Sequence, residues 1–365
     1  MNIKDISNLE NRVIGKVLAA QARDIPNAVW MISNERKLTF GEANRLVNAY
    51  AAGLRHVGVK AGSTIALVCS PSIDAILIGL AATRLGGIYT TISTDYRGEF
   101  LKESLVASRA EVLVIDNDLS DRLDDLDSRG AIKHVFTLNE DGDNTAAKHQ
   151  DTSKLLAHGD EPIEDVAKWN DVAQIWWSSG TTGKSKGVMH SHSSVLHLGA
   201  QNAATSRDGD IMYVCTPIYL GSPWSGAIWA SLVGGLTAAI DRQFSVSQFW
   251  DRIHFYNATQ FLTLGSMHIH LWRAPEKDND RDNKVWKAIC YPMPYDTLPR
   301  FKERFGIEQL PQGFGQSETF QIFSAPDDGT KWVGSALGRA EPWYEVKLLD
   351  INDREVGVGE VGEIC

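Results

Sequence analysis

Residues Ile175–Val188 read IWWSSGTTGKSKGV, where an apolar run gives way to small, polar and basic residues. A glycine-rich loop that follows a strand exposes backbone N–H groups, and such groups bind phosphate oxygens. Hydroxyl side chains and the lysines Lys184 and Lys186 add donors and positive charge. An ordinary Gly/Ser turn does not explain this density of phosphate-binding groups. The loop therefore predicts a nucleotide phosphate site.

The triplet Gly183-Lys184-Ser185 resembles the end of a Walker A loop. That motif, G-x-x-x-x-G-K-[ST], requires glycine at position 178. The residue there is Ser178, so the spacing argues against a P-loop kinase or GTPase.

Strand and helix patterns alternate on the N-terminal side of this loop. Thr39–Glu42 reads as a capping box, and apolar residues then recur at helical spacing as far as Leu54. TIALVC (Thr64–Cys69) predicts a buried strand, and IYTTI and EVLVI predict two more. Asp74 is predicted to cap a helix that stops at Gly86. Continuous apolar strands between helices indicate a parallel sheet covered on both faces.

The same alternation resumes after an acidic segment. The predicted strands are AQIWW, IMYVC, LTAAI, TQFLTL and VWKAICY, and the predicted helices lie near 193–204, 245–256 and 296–305. At the end, Tyr344–Leu349 and EVGEIC read as two strands joined by a turn. Because the chain stops inside that hairpin, we interpret its C-terminus as a truncation, engineered or proteolytic.

Composition excludes several classes of protein. A chain of 365 residues with 43% hydrophobic and 22% charged residues is ordinary for a globular protein of about two domains. The segment 116–171 carries 15 acidic and 6 basic residues, nearly all of the net charge of -10, and no basic face suggests nucleic acid. Four widely spaced cysteines favour neither a zinc site nor disulfides. Without a signal peptide or a membrane-spanning apolar run, we expect a cytoplasmic location; a homodimer is left open.

The loop resembles the signature of the adenylate-forming superfamily, which includes acyl-CoA synthetases, adenylation domains and firefly luciferase. The family pattern is roughly [YF]-T-S-G-T-T-G-x-P-K-G-V. Trp177 takes the aromatic place, Ser178–Gly183 and Lys186–Val188 match, and Ser185 replaces proline. FWDRIHFYNATQFLTLGSM and FKERFGI are most similar to crotonobetaine/carnitine-CoA ligases and fatty-acid-transport proteins.

A second motif, GFGQSE (Gly313–Glu318), resembles the family's Y-G-x-T-E. The resemblance implies that Phe314 stacks on adenine, that Ser317 stands near the α-phosphate, and that Glu318 holds Mg²⁺. CYPMPYD occupies the place of the loop that covers the other face of adenine. VGSALGRAEPWYEVKLLD resembles the start of a small barrel.

The resemblance implies an ATP-dependent carboxylate–CoA ligase that forms acyl-AMP with release of pyrophosphate, using ATP, Mg²⁺ and CoA. The implied catalytic residues are Thr182, Lys186, Ser317 and Glu318, with Glu318 the metal ligand. The implied nucleotide-binding residues are Ser178, Ser179, Gly180, Thr181, Thr182, Gly183, Lys186, Pro292, Met293, Gly313, Phe314, Gly315, Gln316 and Ser317.

The acid is predicted to bind near Tyr219, Gly221, Ser222, Trp224 and Gly265. Many relatives have an aromatic–His pair here, whereas this chain has leucine in place of the histidine. For Trp224, ordinary core packing is an equally good interpretation. The histidines of the two H-x-H pairs, His190/His192 and His268/His270, are expected to have structural or surface roles, because metal binding needs a third ligand.

The expected fold is α/β, with two similar subdomains whose mostly parallel sheets are flanked by helices in an αβαβα layering. The predicted divisions are 1–165, 166–330 with the nucleotide site, and 331–365 as the start of a small β-barrel. The family's mobile C-terminal domain is absent from this sequence, so we expect the fragment to be nearly inactive. Three alternatives stay open: loading of a carrier-protein thiol, a luciferase-like oxygenase, and a non-catalytic acyl- or nucleotide-binding module.

Overall fold

The structure is a computed structural model that describes residues 4, 6–34, 36–139, 149–178, 185–332 and 336–365. In chain order its strands are β1 (Val29–Ser33), β2 (Arg36–Thr39), β3 (Thr64–Val68), β4 (Ile88–Thr91), β5 (Val112–Asp116), β6 (His134–Leu138), β7 (Gln150–Asp151), β8 (Val172–Ser178), β9 (Lys186–Ser191), β10 (Ile211–Val214), β11 (Thr237–Ile240), β12 (Gln260–Leu264), β13 (Lys287–Tyr291), β14 (Gln312–Gln316), β15 (Phe320–Ala325), β16 (Arg339–Ala340), β17 (Leu348–Leu349) and β18 (Glu363–Ile364).

The helices frame two large sheets. They are α1 (Ile14–Asp24), α2 (Phe40–His56), α3 (Ile73–Arg84), α4 (Gly98–Ser108), α5 (His192–Ala204), α6 (Gly221–Pro223), α7 (Trp229–Gly234), α8 (Phe249–Tyr256), α9 (Ser266–Arg273) and α10 (Leu298–Phe305). A π-helical turn, Trp224–Ile228, joins α6 to α7.

The strands form two mostly parallel sheets. The first has the order β7-β6-β5-β3-β4-β8-β9, and the second has the order β13-β12-β10-β11-β1-β2. Among the described strands of these sheets, only β8–β9 and β1–β2 pair in antiparallel orientation. Mostly parallel sheets flanked by helices confirm the predicted fold class.

Sheet membership does not follow the predicted division between residues 165 and 166. β8 lies in the second predicted subdomain but pairs with β4 of the first, and β1 lies in the first but pairs with β11 of the second. Sequence patterns identify strands but carry little information about which edge each strand completes. As a division into domains, the boundary stays a prediction.

Alternation along the strands produces the layers. In β3, Ile65 and Leu67 pack into a core with helices α1–α3, whereas Ala66 and Val68 pack against α4 on the other face. In β10, Met212 enters the same central core and the next residue packs against α8 and α10. The central helices therefore separate the sheets, which gives the αβαβα order.

The predicted start of α2 is confirmed and that of α3 is wrong. Thr39 Oγ1 accepts from the Glu42 backbone N–H, and the Glu42 carboxylate accepts from the Thr39 N–H. Helix α3 is capped by Ser72, whose hydroxyl accepts from the Ala75 N–H. Asp74 instead accepts from the side chains of two other residues, a guanidinium and a phenol hydroxyl. Ser72, two residues earlier, already satisfies the first turn of the helix.

The last part of the chain is less regular. β14, β15 and β16 form a small antiparallel sheet, and β17 pairs with β18 as the predicted hairpin. No closed barrel forms among the residues described. Within the same residues, none of the helices combines the length and the apolar character needed to cross a membrane.

Candidate functional site

The predicted phosphate loop joins the two strands of a hairpin. Ser178, the last residue of β8, pairs with Lys186, the first residue of β9. Ser179, Gly180, Thr181, Thr182 and Gly183 lie outside the described residues. Lys186 is exposed at the base of the loop, where its ammonium group is accessible to an anion.

A second hairpin carries the GFGQSE motif. Phe314 and Gly315 lie in β14, and Ser317–Thr319 form the turn into β15. A β-carbon at Gly315 would lie 2.1 Å from the Phe320 carbonyl oxygen, so this position requires glycine. Glu318 stands exposed in the turn, next to Ser317.

A cavity of about 310 Å³ lies between this hairpin, the end of β8 and helix α5. It opens beside the carboxyl ends of β12 and β13, the edge at which parallel sheets usually bind ligands. It is lined by Trp176, Leu198, Asn202, Leu220, Gly221, Ser222, Ser225, Gly226, Leu262, Leu264, Ile289, Tyr291, Phe314, Gly315, Gln316, Ser317, Phe320 and Gln321.

The cavity brings together residues predicted for two different ligands. Gly221 and Ser222, predicted for the acid, share it with the nucleotide residues from Phe314 to Ser317. The Ser222 hydroxyl and the Trp176 indole N–H are buried and have no hydrogen-bond partner among the described residues.

Three residues predicted for the acid do not line this cavity. The Tyr219 hydroxyl donates to Asp95, 3.2 Å away. Trp224 is fully buried and its indole N–H donates to the Ile218 carbonyl oxygen at 2.7 Å, which supports the core-packing interpretation. Gly265 adopts a positive φ of 56° immediately before α9.

The tryptophan that lines the cavity is Trp176 rather than the predicted Trp224. Side chains alternate along β8, so Trp176 packs in the central core while Trp177 packs on the other face and donates to Thr90. A β-carbon at Gly221 would lie 2.6 Å from the Trp176 ring, so the ring borders this glycine directly. Strand alternation was the sequence signal that could have found Trp176.

The loop predicted to cover adenine, which includes Pro292 and Met293, is held by two hydrogen bonds. The Met293 N–H donates to Gln312 Oε1 at 3.0 Å, and His268 Nε2 donates to the Pro292 carbonyl oxygen at 2.8 Å. Gly313 lies next to Gln312 in β14, so the two adenine-site segments are joined directly.

Magnesium fits one feature of the site. Glu318 offers exposed carboxylate oxygens, the ligands that Mg²⁺ prefers, and protein sites often supply one or two carboxylates while substrate phosphates complete the shell. No group of three or more His, Cys, Asp or Glu side chains suited to a metal occurs among the described residues. Glu318 would therefore hold the ion together with the phosphates.

One side of the cavity is backed by stacked rings. The His190 ring lies 4.2 Å from the Trp176 ring and 4.6 Å from that of Phe320. Burial lowers the pKa of His190 to about 4 and that of His192 to about 4. Both rings are therefore neutral at pH 7.

We expect the free energy of unfolding to fall as the pH drops from about 6.5 to about 4. In that range the unfolded chain binds a proton at each of these histidines, whereas the buried imidazoles of the folded protein stay neutral. Their neutral forms therefore contribute fully to the free energy of unfolding above about pH 6.5, and this contribution is lost as the pH falls. At pH 5 each of the two histidines lowers the free energy of unfolding by about 2 kcal/mol relative to neutral pH. Urea unfolding at pH 7.5 and 5 measures this loss, and His190→Phe should reduce it. The control variant His270→Asn, at an exposed position, should show the same loss as the parent. An equal loss in the parent and in His190→Phe would contradict the assignment.

Comparison with known proteins identifies the family. The model of the family described as "AMP-binding enzyme" matches residues 18–365. The chain belongs to the AMP-binding enzyme family. The resemblance to adenylate-forming enzymes is thereby confirmed.

The curated relatives of this chain include CoA ligases. It is 28% identical over 322 residues to the medium/long-chain-fatty-acid–CoA ligase FadD6 of Mycobacterium tuberculosis, which covers 86% of this chain and 53% of that protein. It is 25% identical over 343 residues to an Escherichia coli crotonobetaine/carnitine–CoA ligase, covering 90% and 65%. The chain thus spans about half to two thirds of these relatives.

The fold matches solved structures of CoA ligases. An anthranilate CoA ligase, AuaEII, in complex with anthranoyl-AMP superposes with a TM-score of 0.86 at 17% identity, covering 96% of this chain and 68% of that one. A benzoate CoA ligase from Burkholderia xenovorans gives 0.85 at 18% identity, covering 96% and 70%. At these identities the likeness concerns the fold alone.

Proposed function

We propose that this chain carries the adenylation site of an ATP-dependent carboxylate–CoA ligase. The observation that carries the proposal is the shared cavity, in which the GFGQSE residues from Phe314 to Ser317 face the same space as Gly221, Ser222 and the apolar walls. A site that joins a nucleotide to an acid must bind both in one cavity, because reactants held side by side in the right orientation need not meet by diffusion.

The reaction has two balanced steps. A carboxylate oxygen bonds to the α-phosphorus of ATP while the bond to the β-phosphate oxygen breaks, and pyrophosphate leaves with the electron pair. The thiol sulfur of CoA then bonds to the acyl carbon, AMP leaves with its oxygen, and the thiol proton passes to solvent.

Each proposed residue either offsets negative charge or orients a substrate. Lys186 and Thr182 serve the β- and γ-phosphates, and Ser317 donates near the α-phosphate. A magnesium ion at Glu318 would neutralise phosphate charge during attack by an anionic carboxylate. The Phe314 ring offers the stacking face for adenine.

The proposed residues for the acid are Gly221, Ser222 and the apolar side chains Leu262, Leu264 and Ile289. The Ser222 hydroxyl and the Trp176 indole N–H, which have no hydrogen-bond partner among the described residues, supply donors beside these apolar side chains. A carboxylic acid with a compact apolar body suits this lining. The cytoplasmic location and a homodimer stay predictions.

The test is the product formed from ATP, Mg²⁺ and a panel of carboxylic acids, with the protein in molar excess over ATP. Mass spectrometry should detect acyl-AMP and an equal amount of pyrophosphate. Adding CoA should convert acyl-AMP to a thioester; conversion only by a carrier-protein thiol would replace CoA as the acceptor. Formation of ADP and an acyl phosphate would overturn the proposal.

A further inference from the structure

A second cavity adjoins the first and shares part of its wall. It encloses about 400 Å³ and lies on the far side of β13 and β15. Asn202, Ile289, Tyr291 and Gln321 line both cavities. These four residues therefore form a shared boundary between the two spaces.

Tyr291 has the largest side chain of these four residues, and its backbone is held in the sheet. Tyr291 pairs with Leu264 across β12 and β13, and its carbonyl oxygen accepts from the Gly265 N–H at 2.9 Å. A β-carbon at Gly313 would lie 2.6 Å from the Phe323 carbonyl oxygen, 3.0 Å from Gln321 Nε2 and 3.5 Å from the Tyr291 hydroxyl. The phenol and the amide thus both lie beside Gly313, where the close Phe323 backbone requires glycine.

The other half of the boundary is held by hydrogen bonds. Gln321 Nε2 donates to Ser324 Oγ at 2.7 Å, and Ser324 in turn donates to the Glu341 carboxylate. Burial is the main cause that raises the pKa of Tyr291 above its ordinary value, so its phenol stays neutral. Tyr291 and Gln321 therefore form a neutral, anchored wall rather than a loose pair of side chains.

Both cavities combine apolar and polar lining. The second has Ile289, Pro311, Pro326 and Trp343 in its walls, as well as the polar side chains of Gln201, Thr205, Gln312 and the buried Lys287. Lys287 Nζ donates to Thr205 Oγ1 at 2.7 Å. An alkyl chain that passed the wall would contact the apolar side chains of the second cavity, so the space beyond the wall does not itself exclude it.

We infer that Tyr291, with Gln321, closes the acyl end of the site and limits this chain to carboxylic acids with small acyl groups. This rests on the proposed function. At about 310 Å³, part of which faces the nucleotide motif, the first cavity is at the lower end of the roughly 300–1,000 Å³ typical of small-molecule sites. Replacing Tyr291 by a small residue would join it to the second cavity.

The experiment measures calorimetric binding of acyl sulfamoyl-adenosines, which are non-hydrolysable acyl-AMP analogues, to the 365-residue chain. The acyl groups are butanoyl, octanoyl and dodecanoyl. The parent should bind the butanoyl analogue at least about tenfold more tightly than the dodecanoyl analogue, since single methylenes already change affinity by about that factor in a closed pocket. Tyr291→Ala should remove most of that preference.

Three further variants test whether the size of the wall side chains, rather than another effect of the substitution, determines the preference for short acyl groups. Tyr291→Phe keeps the ring and should keep the parent's preference. Gln321→Ala opens the other half of the wall and should weaken the preference, which keeps the test decisive if Tyr291→Ala does not fold. Phe255→Ala removes an aromatic side chain from an exposed position of α8 that lines neither cavity and lies outside the nucleotide motifs, and it should match the parent.

Two results would overturn the inference while leaving the proposed function intact: equal binding of butanoyl and dodecanoyl analogues by the parent, or an unchanged preference in folded Tyr291→Ala and Gln321→Ala. Failure of the parent to bind any analogue would instead contradict the proposed function, and the inference with it.

Discussion

Lys186→Ala is expected to lower the rate of ATP-dependent adenylate formation by about a hundredfold or more. Lys186 is exposed at the base of the phosphate loop, opposite Ser178 in the β8–β9 pair. Its ammonium group would offset charge on the phosphates as pyrophosphate departs. Because the residue is exposed and borders a loop, its replacement should change the free energy of unfolding by at most about 0.5 kcal/mol.

The measurement is the single-turnover rate of pyrophosphate release with the parent's best acid. Lys168→Ala provides the matched control, since Lys168 is also exposed and precedes the opposite end of β8. A folded Lys186→Ala variant that releases pyrophosphate at the parent's rate would remove Lys186 from the phosphate site. An equal loss in Lys168→Ala would show that the effect is not local.

Glu318→Gln is expected to lower the same rate by about a hundredfold at the parent's optimal Mg²⁺ concentration. The change removes one negative charge and keeps the size of the side chain. The Glu318 carboxylate lies exposed in the β14–β15 turn, beside the cavity-lining Ser317. Weaker binding of the ion should also shift the Mg²⁺ dependence of the rate to higher concentration.

A magnesium titration of pyrophosphate release checks this expectation. Glu303→Gln, on an exposed position of α10, makes the same chemical change away from the cavity and should titrate like the parent. If Glu318→Gln had the parent's midpoint and the parent's rate, the ion would be held elsewhere.

Local patterns in the sequence were sufficient for the elements of the fold. The Thr39–Glu42 capping box appears where it was predicted. Strands β3 (Thr64–Val68) and β5 (Val112–Asp116) match the predicted strands TIALVC and EVLVI to within one residue at each end. The pairing of β8 with β4 and of β1 with β11 was not predicted. Pairing depends on which sheet edges the whole chain leaves open, and no local pattern records that.

The site divides in the same way. The GFGQSE motif located Phe314 and Ser317 at the cavity, because a tight hairpin with obligatory glycines is a local feature. Trp224 was an uncertain choice, since an indole in an apolar helix can face either a pocket or the core, and here it faces the core. Tyr291 lines the cavity only because β13 lies beside β12 and β14–β15, an arrangement set by the tertiary fold.

The most direct test of the central claim is whether this cavity binds a carboxylic acid and AMP as one joined molecule. Calorimetry should compare a butanoyl sulfamoyl-adenosine with AMP alone and with butanoate alone. The account predicts that the joined analogue binds at least about a hundredfold more tightly than AMP, because the acyl end adds contacts while the cost of lost translational freedom is met once. A joined analogue that binds no more tightly than AMP would contradict the account.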